Sequence, residues 1–105
     1  MKLVWTEFAI ENLKIIFDYY ASKASRKVAH NIRKQIFEST RQLIQHPESG
    51  QIELHLEKFN QQHRYILSGH YKIIYKVDHE YIIINDIFDT RQNSMKMIDE
   101  KRNVK

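Results

Sequence analysis

The chain has 105 residues, a formal net charge of +4, no cysteine, one proline and two glycines. This length, without a Pro- or Gly-rich linker, predicts one domain over residues 1–105. The lack of cysteine excludes disulfides and thiolate metal sites and favours an intracellular, cytoplasmic protein. No apolar run is long enough for a membrane helix or a signal peptide, so no membrane partner is expected.

The N-terminal third predicts a strand followed by a helix. Lys2 to Trp5 is apolar enough for an opening strand, and Thr6 is a suitable N-cap with Glu7 in the first helical turn. Apolar residues then recur at three- and four-residue spacing and predict a helix to about Ala21; they are Phe8, Ala9, Leu13, Ile16, Phe17 and Tyr20.

A second helix is predicted to begin near Ser22 or Ser25 and to continue to about His46, before Pro47 and Gly50. Residues 21–46 carry six basic side chains against Glu38 alone: Lys23, Arg26, Lys27, Arg33, Lys34 and Arg41. This asymmetry favours an anionic partner, either nucleic acid or an acidic protein segment, although a merely solvated helix face explains it equally well. Because few residues join the two helices, they should form an antiparallel hairpin.

Gln51 to Phe59 is ambiguous. Alternating Ile52, Leu54 and Leu56 suit a half-buried edge strand, and a loop draped over the sheet is the alternative. Its acidic residues, Glu53 and Glu57, are interpreted as a solvated pair.

Residues 63–93 predict an antiparallel meander. Three runs rich in Ile, Tyr, Val and Phe are separated by Ser68-Gly69-His70 and by Asp78-His79-Glu80. The last run, Tyr81 to Phe88, has apolar residues at both parities, which predicts a central strand covered on both faces. Met95 to Lys101 predicts a short final helix.

The expected fold class is therefore α+β, with an N-terminal strand and a helical hairpin packed on one face of an antiparallel sheet of about four strands. One core should contain residues of both layers, namely Leu13, Phe17, Ile32, Ile36, Ile73 and Tyr75. No cofactor or metal is expected, because a Gly-rich phosphate loop is missing and the six histidines lack metal-ligand spacing.

Three basic residues flank the meander: Arg64 on its first strand, Lys72 on its second and Arg91 after its third. A three-residue first turn places Arg64 and Lys72 on one face, whereas a two-residue turn places them on opposite faces. With a three-residue second turn, Lys72 lies opposite Asp86. A purely structural Lys72–Asp86 pair with an exposed Arg91 is then the competing interpretation.

Three blocks carry a resemblance to a known family: V-W-T-E-F-A-I-E-N-L-K-I-I-F-D-Y-Y, R-Y-I-L-S-G-H-Y-K-I-I-Y-K-V and I-N-D-I-F-D-T-R-Q-N-S-M-K-M. Over nearly its full length the chain resembles the RelE/ParE superfamily, the toxin halves of bacterial type II toxin–antitoxin modules. The resemblance implies a small toxin that is neutralised by a cognate antitoxin. RelE-like members cut mRNA on the ribosome without a metal, and ParE-like members poison DNA gyrase.

In the nuclease branch the resemblance assigns catalytic roles to Arg64, Lys72 and Arg91. Arg91 matches a functional arginine, and Lys72 replaces a common arginine, which keeps the charge but loses the bidentate geometry. Arg64 matches a basic strand position more weakly. An aromatic residue of some relatives aligns near Met97, which cannot transfer a proton, so His63, His70 or Tyr71 are the candidate substitutes.

Two further expectations concern binding. The resemblance also admits a catalytically degenerate binding module, which acts only through antitoxin binding and operator co-regulation. In either case, an acidic and partly disordered antitoxin segment is expected to add a helix in a groove of the toxin and a strand at a sheet edge.

Overall fold

The computed structural model describes residues 1–98 of the chain. Two α-helices and five strands of this part of the chain follow one another in the order β1 (Lys2–Trp5), α1 (Glu7–Lys23), α2 (Arg26–Gln45), β2 (Gln51–Ile52), β3 (Arg64–Ser68), β4 (Tyr71–Asp78) and β5 (Tyr81–Asp89). Two 3-10 helices, Leu54–Phe59 and Ser94–Ile98, follow β2 and β5.

The strands form one sheet in the order β1-β5-β4-β3-β2. The strand β1 runs parallel to β5, and all other neighbours are antiparallel. The hairpin of α1 and α2 covers one face. This arrangement confirms the predicted α+β class and the central position of β5, and the short β2 brings the sheet to five strands.

Both helices begin at a hydroxyl cap. The Thr6 side chain accepts a hydrogen bond from the Ala9 amide at 3.1 Å, and the Ser25 side chain accepts one from the Val28 amide at 3.1 Å. Of the two predicted starts for the second helix, Ser25 is therefore the correct one, because its side chain satisfies an amide that the first turn leaves unpaired.

The segment after Gly50 is neither a full edge strand nor a simple loop. Strand pairing ends at Ile52, and the chain then turns into the first 3-10 helix, in which Leu56 is buried and Leu54 is exposed. The extended edge strand predicted from the alternation is therefore wrong beyond Ile52. In a 3-10 helix, residues two positions apart lie on different sides, so over a short run it can bury Leu56 and expose Leu54.

Both hairpin turns contain two residues. Ser68 pairs with Tyr71, and Asp78 pairs with Tyr81. The first turn residues, Gly69 and His79, have φ angles of 59° and 56°. The three-residue turns considered above do not occur. Each two-residue turn shifts the predicted cross-strand partners by one residue, and a bulge on β5 shifts the partner of Lys72 by one more.

The helix-covered face of the sheet holds the main core. Leu13, Ile36, Ile73 and Tyr75 are buried there and Ile32 packs against them, as predicted. Phe17 was expected in this core but lies half-buried at its margin, where its ring contacts His30. The opposite face carries a smaller cluster of Leu56, Ile74, Phe88 and Met97.

The second 3-10 helix confirms the first part of the predicted final helix. Its remaining residues, 99–101, lie outside the described part of the chain. Within residues 1–98, neither helix is long and apolar enough to cross a membrane.

Candidate functional site

Arg64 anchors the loop between α2 and β2. Its guanidinium donates hydrogen bonds to the Gly50 carbonyl at 2.8 Å and to the Glu48 carbonyl at 3.3 Å. Its cross-strand neighbour Tyr75 holds the same loop, accepting from the Gly50 amide at 2.9 Å and donating to the Pro47 carbonyl at 2.8 Å. A Cβ at Gly50 would lie 2.5 Å from the Tyr75 hydroxyl, so only glycine fits there.

Lys72 lies on the opposite face of the sheet, in a buried ion pair. Its ammonium donates to Glu53 at 2.7 Å and lies 4.2 Å from the centre of the Tyr65 ring. The second Glu53 oxygen is 3.0 Å from His55 Nδ1 and accepts from the His55 amide. Burial opposes ionisation of Glu53, but the hydrogen bonds from Lys72 and His55 outweigh it and hold its pKa below the ordinary value.

Glu53 was therefore misassigned as a solvated carboxylate. Glu53 is only 2% exposed, and its side chain caps the first 3-10 helix. The one sequence signal for this role was an acidic residue directly before the Leu-His-Leu turn, a position that satisfies a free amide.

The predicted Lys72–Asp86 pair does not form. Lys72 lies opposite Phe88, and Asp86 lies opposite Ile74. The Asp86 carboxylate instead accepts from the Asn12 side chain of α1 at 2.8 Å. The partner of Lys72 moves by two residues: one comes from the two-residue turn, and the other from Asn85, an extra residue on β5 that forms a β-bulge.

Arg91 follows β5 at the rim of an open cavity of about 410 Å³ on the helix side of the sheet. Its guanidinium donates hydrogen bonds to both carboxylate oxygens of Asp89, from Nη2 to Oδ2 at 2.8 Å and from Nε to Oδ1 at 3.0 Å, and its amide donates to Oδ1 at 2.9 Å. The hydrogen bonds from Arg91 lower the pKa of Asp89, and the same contact raises the pKa of Arg91. Ile15, Tyr19 and Tyr71 also line the cavity.

The three basic residues therefore do not converge. Lys72 points away from the helical layer, towards the first 3-10 helix. Arg64 and Arg91 are both on the helical side of the sheet but at different places along β4. Arg64 lies opposite Tyr75, and Asp89, which binds Arg91, lies opposite Tyr71. Four residues of a strand separate these positions by about 13 Å.

Of the three candidate proton-transfer residues, two lie together near Arg91 and the third is elsewhere. Tyr71 donates to the Tyr20 hydroxyl at 3.4 Å, and that hydroxyl lies 3.5 Å from His70 Nε2, near Arg91. Burial and the Tyr20 contact raise the pKa of Tyr71, so less of its hydroxyl is deprotonated and available to act as a base. His63 is buried on the other side of the molecule, and Met97 is fully enclosed in the smaller cluster.

A groove runs along the outer side of the helical hairpin. Its volume is about 260 Å³, and its lining combines apolar side chains with two cations: Ile10, Leu13, Phe17, Phe37, Lys14 and Arg33. Ile10 is 53% exposed and Phe37 is 45% exposed, although both are large and apolar. The Arg33 guanidinium lies 4.6 Å from the centre of the Phe17 ring, so positive charge borders the apolar floor.

Within residues 1–98, no group of three or more His, Asp or Glu side chains is placed to hold a metal ion.

Two of the three comparisons with known proteins find a match. The sequence model described as "ParE toxin of type II toxin-antitoxin system, parDE" matches residues 3–94. Among solved structures, a chain of the chromosomal ParDE TA system from P. aeruginosa superposes with a TM-score of 0.71 at 20% identity, covering 85% of this chain and 95% of that one. At this identity the structural match shows the shared fold. A search of curated proteins finds no match.

Proposed function

The chain belongs to the ParE toxin family of type II toxin–antitoxin systems, and from this premise we propose that it stops growth by binding DNA gyrase and not by cutting mRNA. Among its relatives, the ParE branch is the one that acts without nuclease residues. We further propose that a cognate antitoxin neutralises it.

The observation that carries this proposal is the separation of the three basic residues. Cleavage of RNA through its 2′-hydroxyl needs a base and cations gathered around one phosphate. Here the Lys72 charge is neutralised by buried Glu53, and Arg64 is engaged by loop carbonyls. In this proposal both residues are structural. Arg91, whose side chain is 59% exposed beside an open cavity, is the member of the set that contacts the target.

The hairpin groove is the proposed antitoxin site. Ile10 and Phe37 offer an exposed apolar floor, and Lys14 and Arg33 border it with positive charge. An amphipathic helix with acidic flanks complements this combination. The outer edge of β3 offers a second contact for an added strand, because β2 pairs only with Arg64 and Tyr65.

The target is tested by inducing the chain in cells and following two readouts, mRNA 5′ ends and gyrase-linked DNA breaks. The proposal expects DNA breaks with intact messages. In-frame mRNA cuts without DNA breaks would establish the nuclease instead. Unaffected growth with neither lesion would leave the degenerate binding module.

Variants sharpen this test. Lys72→Met combined with Glu53→Gln removes both charges of the buried pair, so neither partner stays buried and charged alone. The double variant should keep its toxicity if Lys72 is structural, and Arg91→Ala should lose it. A nuclease would lose activity in both.

The antitoxin site is tested by co-purification with the product of the adjacent gene. Phe37→Glu places a charge in the groove and should weaken the complex. Leu54→Glu adds the same charge at another exposed apolar residue, outside the groove, and serves as the matched control. Equal complex formation by both variants would place the antitoxin elsewhere.

A further inference from the structure

Three cations form a straight row on the exposed face of α2. Lys27, Lys34 and Arg41 follow one another at seven-residue intervals and are all exposed. Seven residues are close to two helical turns, so the three side chains project from one line about 21 Å long. Among the residues that the structure describes, none of the three forms an ion pair. We call Lys27, Lys34 and Arg41 the cationic row.

The helix dipole does not explain the charges at the start of α2. The first turn of α2 contains Arg26 and Lys27 and no acidic residue, and its last turn contains no basic residue. A helix dipole favours the reverse, with anions at the N-terminus and cations at the C-terminus. Residues that oppose a local stability rule are expected where a protein binds something.

The row borders the hairpin groove without lining it. The residues of α2 that line the groove are Arg33 and Phe37, and Arg33 also contacts His30 at 2.8 Å. Lys34 precedes Phe37 by three residues and Arg41 follows it by four, so both cations lie next to the edge of the groove. An acidic amphipathic peptide needs apolar contacts as well as charge, and the lining of the groove supplies them, whereas the three side chains of the cationic row supply charge alone.

A regular polyanion fits the row better. A nucleic-acid duplex carries one charge for about every 1.7 Å of its axis, so a row about 21 Å long faces roughly a dozen phosphates. Such contacts need only charge and hydrogen-bond donors, which Lys and Arg provide. We propose that the cationic row binds the phosphodiester backbone of a nucleic-acid duplex, independently of its sequence. This binding is separate from the proposed target, because it requires no gyrase.

The test measures fluorescence anisotropy of labelled 20-base-pair duplexes with the purified full-length chain between 50 and 200 mM salt. DNA and RNA duplexes of the same sequence form two arms, and the tighter one identifies the natural source of the backbone. For three phosphate contacts on DNA, log Kobs should fall with log salt at a slope of about −2.7.

Two triple variants make the test specific. Lys27→Gln, Lys34→Gln and Arg41→Gln remove the cationic row. Lys2→Gln, Lys58→Gln and Lys96→Gln remove the same number of charges from exposed positions elsewhere. The row variant should bind at least tenfold more weakly at 50 mM salt with a slope near zero, and the control should keep most of the wild-type slope.

Two results would overturn the proposal. One is equal weakening in the two triple variants, which indicates only net charge. The other is no binding of either duplex by the wild-type chain at 50 mM salt. Circular dichroism checks that the variants are folded, and the single variant Lys34→Gln, with Lys58→Gln as its control, replaces the triples if either is not.

Discussion

The two helices of the hairpin have similar lengths and the same kind of cap, but opposite charge arrangements. In α1, Glu7 lies in the first turn and Lys23 in the last, as the helix dipole favours. In α2, Arg26 and Lys27 occupy the first turn, and the last turn has no basic residue. The helix dipole therefore accounts for the terminal charges of α1, whereas it does not account for those at the start of α2.

The helices also differ in how they attach to the sheet. The helix α1 and its cap form polar bonds with β5: the Thr6 amide donates to the Ile84 carbonyl at 3.1 Å, and Asn12 donates to buried Asp86. The helix α2 attaches through an apolar face that includes Ile36 and Leu43. Polar anchoring leaves little freedom in position, so α1 is the fixed element and α2 depends on packing.

Truncation of the apolar face of α2 should have the largest effect. Ile36 is 1% exposed, and Ile36→Ala should lower the free energy of unfolding by about 2–5 kcal/mol because it leaves a cavity. Phe17→Ala on α1 should cost less, since Phe17 is only half-buried. Urea denaturation measures both. A larger loss for Phe17→Ala would contradict the assignment of α2 as the helix that depends on packing.

Loss of the polar anchor of α1 should come next. Asn12→Ala removes a hydrogen bond to a buried carboxylate and should cost about 1.5–3 kcal/mol. Asn31→Ala on the exposed side of α2 is the matched control and should change stability by less than about 0.5 kcal/mol. If both variants unfold at the same urea concentration, the bond to Asp86 is not an anchor.

The two caps should differ moderately. Thr6→Ala and Ser25→Ala should each cost about 0.5–2 kcal/mol, because each leaves a first-turn amide without its partner. Thr6→Ala should cost more, since its hydroxyl also donates to the Asn85 carbonyl at 3.3 Å. Thermal denaturation of the two variants measures the difference, and the reverse order would weaken the view of α1 as the anchored helix.

The smallest expected effects have opposite signs in the two helices. Glu7→Lys should destabilise the chain by about 0.3–1 kcal/mol, and Lys27→Glu should stabilise it by a similar amount, because each reverses a charge near a helix N-terminus. Both effects should shrink at high salt. Lys27→Glu should at the same time weaken duplex binding. If Lys27→Glu lowers the stability of the chain and leaves duplex binding unchanged, the distinction between the two helices is wrong.

Much of this architecture could be predicted from local patterns. Thr6 and Ser25 stand directly before apolar stripes of helical period, and Pro47 and Gly50 follow the second stripe. Such signals act within a few residues, so they survive in any tertiary context. Gln51 to Phe59 was less predictable, since a short alternating run also fits a 3-10 turn.

The candidate site was less predictable than the fold. Whether Arg64 and Lys72 share a face depends on one residue of turn length, and S-G-H permits either turn. The role of Glu53 depends on Lys72, which is distant in sequence and close only after folding. The exposure of Ile10 and Phe37 could not be predicted either. A sequence pattern of helical period identifies apolar residues but does not indicate which of them a neighbouring element covers.

The sequence by itself determined the order of the elements, the Thr6 cap of α1, the central strand β5, the charge asymmetry of α2 and the family resemblance. These depend on residue type and short-range spacing, which are the same in the unfolded and folded chain. Only the tertiary structure decided the two-residue turns, the bulge at Asn85, the Glu53–Lys72 pair and the separation of Arg64, Lys72 and Arg91. The reason is that strand register converts one residue of loop or bulge into a change of face for every side chain that follows.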